Sequence, residues 1–563
     1  MRLSAGAEAQ VALNTIAAAA DAGVTVFDTA HAYGAGATDR GQNEALLARG
    51  IRACGAQDIA RIVTKGGMER TAAGWVPDGR AGTILADCEA SLLALDGLPI
   101  DLFLVHAPDP RTPWRTTLRA LARLADEGLV RRVGVCNVNR RQLDEALALT
   151  PVAAVQVPLS IYDDSALRGG VVQRCAEAGV TVIAHSPLGG PRRAGRLERD
   201  GQLAGVARSR GATPAEVALA WVLQVAPGIV AIPGATRPET ARSAARAAHL
   251  SLAVADVALL NGRLGRRDPS RVRLANRADG AEVIMIMGIP GAGKSRVAAD
   301  YVSRGYLRLN RDQRGGSLRD LAEALDHELS AGARRVVLDN TYLTRATRNY
   351  VVEAAGHHGL PARCLWVDTP LAQAQVNMVL RLLERFGHLP MPEELRGLAR
   401  QEPGLLSPTS QMRALREVEA PTLDEGLASL ERIAFKRSDT ALGSRGGVLV
   451  AAGALRLPGW QVALDQGRGD APHLVFDWIP DGTPDDLAEA VSLVAAHVGG
   501  PVEGALCPHG GGPPRCWCRP PLPGLPLEFL RARGLAATGS LLIGTGTAHR
   551  SLATALGARY LGV

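Results

Sequence analysis

The chain has 563 residues, of which 47% are hydrophobic and 21% are charged. At roughly 100–200 residues per domain, this length predicts three or four domains and excludes a single small one. No run approaches the roughly 20 apolar residues of a membrane span, and the first ten residues lack the apolar core of a secretory signal, so we expect a soluble cytoplasmic protein. The net charge of +7 permits a polyanionic partner, whereas only 4% aromatic residues argue against stacking platforms for many bases.

The first region, residues 1–262, alternates short apolar strands with helices rich in alanine and leucine. Regular strand–helix alternation over this length predicts a parallel barrel with helices outside. A polar, basic stretch at 263–280 is broken by Gly and Pro and is predicted to be a linker. The predicted strands of the barrel lie in GVTVFDT, RIVTKG, IDLFLVH, VRRVGVCN, AAVQV, VTVIAHS and GIVAIPG.

A glycine-rich loop opens the second region, residues 281–437. It reads GIPGAGKS and lies between a buried strand, AEVIMIMG, and the helix RVAADYVS. In GxxxxGK[ST] loops, backbone N–H groups and a helix N-terminus bind phosphates, the lysine neutralises the β and γ oxygens, and the hydroxyl reaches Mg²⁺. The pattern predicts ATP and Mg²⁺ here, with Ser295 as the magnesium ligand. The predicted nucleotide-binding residues are Gly288, Gly291, Gly293, Lys294 and Ser295.

Polar segments after the next two strands indicate what receives the phosphate. The segment Asn310-Arg311-Asp312 follows the second strand, Asp339-Asn340-Thr341 ends the third, and 419–426 reads EAPTLDEG. Over 281–437 these segments resemble the 5′-hydroxyl polynucleotide kinase family, including the kinase module of the polynucleotide kinase/phosphatases. The resemblance implies that Asp312 is the general base that takes the proton from a 5′-OH. It also implies an acceptor site formed by Arg311, Asp339, Asn340 and Arg348. A lid over the phosphates would be formed by Arg381 and Arg385.

Four metal-ligating side chains crowd into one loop of the third region, residues 445–563. Cys507, His509, Cys516 and Cys518 lie within a dozen residues, whereas the other cysteines are scattered. Soft ligands at this spacing suit a tetrahedral Zn²⁺. The string CPHGGGPPRCWCRPPLPG resembles the zinc loop of the histidinol and heptose bisphosphate phosphatases, which belong to the haloacid dehalogenase superfamily.

The same resemblance implies an inactive phosphatase. That family attacks phosphate with an aspartate of a DxDG motif on its first strand and binds Mg²⁺ with further aspartates. Here the strand GVLVAAGAL places Val450 and Ala452 at the motif positions, and Thr545 and His549 replace the later acids. Without these carboxylates the domain has no nucleophile and no counter-charge for Mg²⁺. Three carboxylates remain candidates under a shifted alignment: Asp465, Asp477 and Asp481.

Polar residues at the carboxyl ends of the barrel strands form the last set. Asp28 and Tyr33 share one segment, Lys65 ends RIVTKG, and His106 ends IDLFLVH. Over about residues 1–250 the pattern resembles the aldo/keto reductases. The resemblance implies that Tyr33 is the general acid, with its pKa lowered by Lys65, that Lys65 pairs with Asp28, and that His106 orients a carbonyl. It also implies an NADPH site formed by Asn137, Gln156, His185, Ser186 and, at the 2′-phosphate, Arg237.

Two features depart from that family. The chain opens at MRLSAG, where relatives would still be finishing their first barrel strand. This strand is therefore expected to be missing, supplied otherwise, or lost to a wrongly chosen start codon. The usual Glu-Asn pair near the cofactor reads Ser243-Ala244, which predicts a weaker grip on NADPH.

The expected fold class is α/β multidomain, with a (β/α)8 TIM barrel, a P-loop kinase domain and a Rossmann-like haloacid dehalogenase-type domain with a zinc loop. The expected function is ATP-dependent phosphorylation of 5′-OH ends of DNA or RNA, joined to an NADP-dependent reductase of unknown substrate. A nucleic-acid ligase is a further expected partner. Two alternatives stay open: a kinase whose other domains are nucleotide-sensing or partner-binding scaffolds, and a kinase-reductase of a small metabolite.

Overall fold

The chain divides into two compact units, Met1–Arg271 with Arg345–Asn349, and Val272–Thr344 with Tyr350–Val563. The first unit contains the expected barrel region, and the second contains both later regions. Among the described residues, no helix has both the length and the apolar character needed to cross a bilayer. The computed structural model describes residues 8–34, 36, 39–71, 74–191, 193–263, 280–401, 404–435 and 445–563.

Nine described strands belong to the first unit. They are β1 (Val26–Asp28), β2 (Arg61–Gly66), β3 (Met68–Thr71), β4 (Gly74–Pro77), β5 (Leu102–Val105), β6 (Val133–Cys136), β7 (Val152–Pro158), β8 (Thr181–His185) and β9 (Ile229–Ile232). Seven of them form one parallel sheet in the order β1-β2-β5-β6-β7-β8-β9, and β3 pairs with β4 as a hairpin. Six of the seven predicted segments contain one strand of this sheet, and AAVQV lies within β7, which is one residue longer at each end. Their near-continuous apolar sequences suit strands that are covered on both faces.

Helices follow most of these strands. They are α1 (Ala9–Asp21), α2 (Gln42–Ala53), α3 (Ala81–Ala94), α4 (Trp114–Asp126), α5 (Arg140–Leu147), α6 (Ser165–Arg168), α7 (Val171–Ala178), α8 (Gly201–Arg210), α9 (Pro214–Gln224), α10 (Pro238–Ala247) and α11 (Val254–Arg263). Capping boxes fix two of the starts, through Asn139 at α5 and Thr213 at α9. In each box a side chain accepts from an otherwise unpaired N–H of the first turn.

The expected eight-stranded ring is not complete, because the described sheet has seven strands. In it β1 pairs with β2 and β9 pairs with β8, and no described strand joins β1 to β9. Residues of both edge strands, among them Phe27 and Ile229, line one apolar cavity of about 380 Å³. The two edges therefore face each other across a gap, which agrees with the expected departure at the first barrel strand.

Two further parallel sheets form the second unit. Their strands are β10 (Glu282–Met287), β11 (Leu307–Leu309), β12 (Arg335–Asp339), β13 (Ala362–Asp368), β14 (Ser429–Ala434), β15 (Val448–Ala451), β16 (His473–Trp478), β17 (Val502–Cys507), β18 (Leu541–Gly544) and β19 (Arg559–Gly562). The strand orders are β11-β12-β10-β13-β14 and β17-β16-β15-β18-β19. In each sheet the first strand in sequence is central, so its carboxyl end opens onto the middle of the sheet.

The remaining helices belong to residues 294–556. They are α12 (Lys294–Ser303), α13 (Arg311–Arg314), α14 (Leu318–Ser330), α15 (Arg345–His357), α16 (Leu371–Phe386), α17 (Pro392–Gln401), α18 (Pro408–Glu417), α19 (Trp460–Asp465), α20 (Ala488–Ala495), α21 (Gly524–Ala532) and α22 (Thr547–Leu556). One hydrophobic cluster joins α16 to the last sheet, with Met378 and Leu382 packed among Phe476, Trp517 and Leu530. The second and third regions therefore share a core.

Trp221 tests the packing of the first unit. It is fully buried in α9, and its indole N–H donates to Asn261 Oδ1 at 3.1 Å. We expect Trp221→Ala to lower the free energy of unfolding of this unit by about 3–5 kcal/mol, because it leaves a large cavity. Denaturant unfolding followed by circular dichroism measures the change. The control Leu93→Ala, at a side chain 82% exposed, is expected to change it by no more than about 0.5 kcal/mol, and equal losses for the two variants would contradict the packing argument.

Candidate functional site

A buried ion pair lies at the carboxyl ends of β1 and β2. Lys65 Nζ donates to Asp28 Oδ2 at 2.7 Å and to the carbonyl of Thr29 at 2.7 Å. Gln156 Nε2 donates to the second carboxylate oxygen of Asp28 at 2.8 Å. Burial disfavours the ammonium, but the Asp28 carboxylate more than compensates, so the pKa of Lys65 lies above its usual value. Lys65 therefore stays protonated at the bottom of the site.

Aromatic rings surround this cation. Lys65 Nζ lies 5.2 Å from the centroid of the Tyr33 ring, and Tyr33 meets His106 edge-to-face at a centroid distance of 5.5 Å. Asp28, Tyr33, Lys65 and His106 thus come together as the sequence predicts. Trp75 of the β3–β4 hairpin lies 6.0 Å from Tyr33 and is half exposed. Its place in the site could not be read from the sequence, because no strand-end pattern marks it.

The pKa of Tyr33 differs from the expectation. Burial of the phenol raises this pKa by more than the nearby Lys65 charge lowers it, so the net shift is upward. Lys65 does lower this pKa, as expected, but desolvation of the phenol, which opposes its charged form, has the larger effect. Burial, together with the charge of Lys65, lowers the pKa of His106 to about 3. At neutral pH the site therefore holds a protonated phenol and a neutral imidazole.

A hydrogen-bonded group connects the ends of β6 and β8. His185 Nε2 lies 2.9 Å from Asn137 Oδ1, and Asn137 Nδ2 donates to the carbonyl of His106 at 3.0 Å. Asn137 and Ser186 have φ of 55° and 51°, a conformation that costs of order 1–3 kcal/mol outside glycine and clusters at functional sites. Arg237 begins the turn before α10 and is exposed. These positions suit an elongated anionic cofactor that crosses the strand ends.

The phosphate loop of the second unit wraps the N-terminus of α12. Lys294 Nζ donates to the carbonyls of Gly288 at 3.0 Å and Ile289 at 2.9 Å. Burial of this ammonium lowers the pKa of Lys294 to about 8. Three glycines give the loop its left-handed turns, namely Gly288 (φ 154°), Gly291 (φ 81°) and Gly293 (φ 94°), where a side chain would be strained.

Four predicted site residues surround that lysine electrostatically. After burial, the charges that shift its pKa are those of Asp339, Arg381, Asp312 and Arg311. Arg311 and Asp312 lie on α13, Asp339 ends β12, and Arg381 lies on α16. A Cβ atom on Gly404 would lie 3.5 Å from Asp312 Oδ2 and 3.9 Å from Arg381 Nη1. The predicted base and the predicted lid arginine therefore flank the same point.

Asp339 contacts the predicted magnesium ligand. Ser295 Oγ donates to Asp339 Oδ2 at 3.1 Å, and Asn310 Nδ2 donates to the Asp339 carbonyl at 2.7 Å. Arg308 donates to both carboxylate oxygens, at 2.9 and 2.7 Å. A loop hydroxyl beside a strand-end carboxylate is the pair with which P-loop proteins hold Mg²⁺, so these residues fit the ion. The contacts place Asp339 on the phosphate side, whereas Asn340 Oδ1 accepts from the N–H of Arg311 at 3.2 Å.

Arg308 was missed by the sequence analysis. It is a charged residue inside the short apolar strand β11, and a buried or half-buried cation in such a strand needs a carboxylate partner. That requirement is the signal that could have identified it.

Arg348 and Arg385 are the remaining predicted arginines. Arg348 is fully buried and belongs to the residues 345–349 that cluster with the first unit. Its assignment as an acceptor clamp is not supported, because a buried guanidinium cannot meet a phosphate that arrives from solvent. Arg385 is exposed and lies over the ring of Phe386 at 5.7 Å.

A cavity of about 810 Å³ adjoins the phosphate loop. Ligand sites commonly measure about 300–1,000 Å³, so this space can hold a nucleotide. It extends from the loop past β14 to the third region. Its walls include Gly291, Arg296, Asp300, Arg381, Phe435, Leu530 and Thr538.

The predicted metal ligands converge. The ligand atoms of Cys507, His509, Cys516 and Cys518 all lie within 4.8 Å of one another. Cys507 Sγ is 3.6 Å from Cys516 Sγ, and His509 Nδ1 is 3.4 Å from Cys507 Sγ and 3.3 Å from Cys518 Sγ. A tetrahedron with Zn–S bonds of about 2.3 Å has edges of about 3.8 Å. The three thiols and one imidazole therefore fit a closed zinc site.

The sites of the expected phosphatase aspartates hold neutral groups. Val450 and Ala452 are buried at the end of β15. His549 packs against Gly544, where a Cβ atom would lie 2.5 Å from His549 Cβ and 2.7 Å from its ring atom Cγ. Of the other candidates, Asp465 pairs with His497 at 2.9 Å. Burial lowers the pKa of His549, and the negative charge of Asp477 offsets part of this lowering. Asp481 follows β16 in a left-handed turn with φ 57°.

Comparisons with known proteins assign the first two regions. The family model "Aldo/keto reductase family" matches residues 2–262, and the model "AAA domain" matches residues 283–394. The glycine loop thus belongs to an AAA-type P-loop domain.

Individual relatives match the first region. A probable aldo-keto reductase 1 of Glycine max is 31% identical over 258 residues, which cover 40% of this chain and 72% of the relative. The aldo-keto reductase str7 of Strobilurus tenacellus is 29% identical over 270 residues, which cover 43% of this chain and 77% of the relative. A crystal structure of an aldo/keto reductase from Klebsiella pneumoniae, in complex with NADP and acetate, is 28% identical over 45% of this chain and 85% of that one, with a TM-score of 0.39. By its first region, the chain belongs to the aldo/keto reductase family, whose members are oxidoreductases.

Proposed function

We propose that this protein combines two activities: NADP(H)-dependent reduction of a carbonyl compound by the barrel, and ATP-dependent phosphorylation of 5′-OH nucleic-acid ends by the P-loop domain. The third region serves as a non-catalytic, zinc-bearing domain. This arrangement would make the protein an end-healing enzyme for broken DNA or RNA.

The cluster at Lys65 supports the reductase. Bound NADPH would supply hydride to the carbonyl carbon, and Asn137, His185, Ser186 and Arg237 would hold it. Tyr33 gives its phenolic proton to the carbonyl oxygen, while the neutral ring of His106 orients that oxygen. Lys65, kept charged by Asp28, stabilises the phenolate that remains.

The pH dependence of carbonyl reduction tests these protonation states. Tyr33 must be protonated to act as an acid, and its pKa lies above the ordinary value of 10.0, so activity should be lost only as pH rises through that value. His106 has a pKa of about 3 and adds no step between pH 5 and 9. We expect a flat kcat/KM over that range, measured with NADPH and a panel of simple aldehydes. Tyr33→Phe is expected to lower it by about 10²–10⁴-fold, and a step near pH 6–7 in the parent protein would contradict the assignment.

Arg237 tests the choice of cofactor. An exposed arginine that meets a 2′-phosphate makes a charge-assisted contact that NADH cannot make. We expect Arg237→Ala to raise KM for NADPH by about tenfold or more and to leave KM for NADH within about twofold, since such contacts contribute about 1.5–3 kcal/mol. Steady-state kinetics with both cofactors measure the two values. Equal changes in both would contradict a role at the 2′-phosphate.

The kinase proposal depends on one observation: Asp312 Oδ2 and Arg381 Nη1 flank one point, 3.5 and 3.9 Å from a Cβ position on Gly404. Their charges, with those of Asp339 and Arg311, act on the ammonium of Lys294. Phosphoryl transfer needs cations on the transferred group and a carboxylate near the nucleophile. Lys294 and Arg381 are the cations, and Asp312 accepts the proton of the attacking hydroxyl.

The exposure of the proposed base favours a large acceptor. The side chain of Asp312 is 48% exposed, so the end of a polynucleotide can approach it. For a small metabolite, we would expect the catalytic base to lie in a more enclosed pocket. This observation favours a nucleic-acid substrate over the small-metabolite alternative.

Labelling of 5′-OH oligonucleotides with radioactive γ-phosphate tests the kinase. We expect Asp312→Ala to lower transfer by about 10²–10⁴-fold, because the attacking hydroxyl keeps its proton, and to leave ATP affinity within about twofold. The matched control is Asp470→Ala, which removes a carboxylate 75% exposed in the same unit. No transfer by the parent protein, or full transfer by Asp312→Ala, would refute the proposal.

A further inference from the structure

Side chains from later elements hold three successive carbonyls of the phosphate loop. Gln411 Nε2 donates to Pro290 at 2.8 Å, and Asn377 Nδ2 donates to Gly291 at 2.8 Å. Thr369 Oγ1 donates to Ala292 at 2.8 Å. With these carbonyls turned outward, the loop's N–H groups are left to face a phosphate. The loop is therefore shaped by residues that lie far along the chain.

Gln411 is the most distant of the three and is tightly enclosed. A Cβ atom on Gly291 would lie 3.1 Å from Gln411 Nε2 and 2.3 Å from the carbonyl of Ala374. Gln411 Oε1 is buried and has no hydrogen-bond partner among the described residues. A buried amide that leaves its own oxygen unpaired is costly. Its contribution is therefore the N–H bond to Pro290.

The metal-ligand loop, residues 507–518, makes two hydrogen bonds with the segment that carries Gln411. The indole N–H of Trp517, between two of the cysteines, donates to the carbonyl of Leu406 at 3.1 Å. Thr409 Oγ1 donates to the carbonyl of Pro514 at 2.6 Å. Trp517 is fully buried and shares one hydrophobic cluster with Leu405. Hydrogen bonds and the intervening backbone thus connect the metal-ligand loop, through 406–411, to the phosphate loop.

We propose that the zinc-bearing loop positions the phosphate loop through Gln411, so that metal occupancy sets the affinity for the nucleotide. Zinc fixes residues 507–518, the fixed loop holds Leu406 and Thr409, and helix α18 then presents Gln411 to Pro290. Gln411 is a positioning residue, because it acts on the loop backbone and not on the phosphates. This inference rests on the proposed binding of ATP by the P-loop domain.

The test uses the full chain, a fluorescent ATP analogue with Mg²⁺, and zinc content by mass spectrometry. We expect about one zinc per chain. We expect Gln411→Met, which removes the donor at similar volume, to raise Kd for the analogue at least tenfold, and Thr409→Val to raise it severalfold. The matched control is Gln224→Met in the barrel, whose amide donates to the carbonyl of Leu250 at 2.7 Å and which should leave Kd unchanged.

Coupling to the metal separates positioning from mere stabilisation. Removal of zinc with a zinc-selective chelator should raise Kd at least tenfold in the parent chain, reversibly on adding zinc back. In Gln411→Met it should raise Kd less than twofold, because the path is already cut.

Equal chelator effects in both chains, or a parent Kd indifferent to zinc, would overturn the inference while leaving nucleotide binding intact. Failure of the zinc-loaded parent to bind the analogue would overturn the proposed kinase as well. If Gln411→Met does not fold, the same comparison is made with Thr409→Val, which removes one surface-proximal hydroxyl, and equal chelator effects there would overturn the inference in the same way.

Discussion

A buried ammonium group lies at the centre of each candidate site, Lys65 in the barrel and Lys294 in the phosphate loop. The pKa values of these two groups are shifted in opposite directions. Lys65 is bonded to the carboxylate of Asp28, which keeps its pKa high in spite of burial. Lys294 donates to backbone carbonyls, and burial lowers its pKa to about 8. A buried cation without a bonded carboxylate is stabilised by an arriving anion, which raises its pKa again. Lys65 thus has its anionic partner within the folded protein, whereas Lys294 gains one when a phosphate binds.

Residues at strand ends could be predicted from the sequence, because parallel topology alone brings them together. Once the strands that end at Lys65 and His106 are recognised, their side chains must meet at one edge of the sheet. The role of Asp312 was instead implied by the resemblance of its segment to the polynucleotide kinase family. Properties that depend on side-chain burial could not be predicted. The pKa of Tyr33 depends on how far the phenol is desolvated, and the role of Arg348 depends on whether its guanidinium is buried.

Supporting side chains could not be predicted for a related reason. Gln411 reaches the phosphate loop from a helix whose local pattern is that of an ordinary amphipathic helix. Its function arises from tertiary contact with Pro290, which carries no spacing signal. Trp75 likewise becomes part of the reductase site only because the hairpin folds over Tyr33. The polynucleotide acceptor and the inactive phosphatase stay predictions from the sequence motifs.

The third region shares an apolar surface with the P-loop domain. Val450 and Ala452 pack into its core, so this strand end offers no charge to a metal. Its other surface meets Met378 and Leu382 of helix α16, with Trp517 in the same cluster. Removing the domain would expose this apolar surface of the P-loop domain to water, at roughly 25 cal/mol per Å². The third region therefore stabilises the P-loop domain by covering this surface.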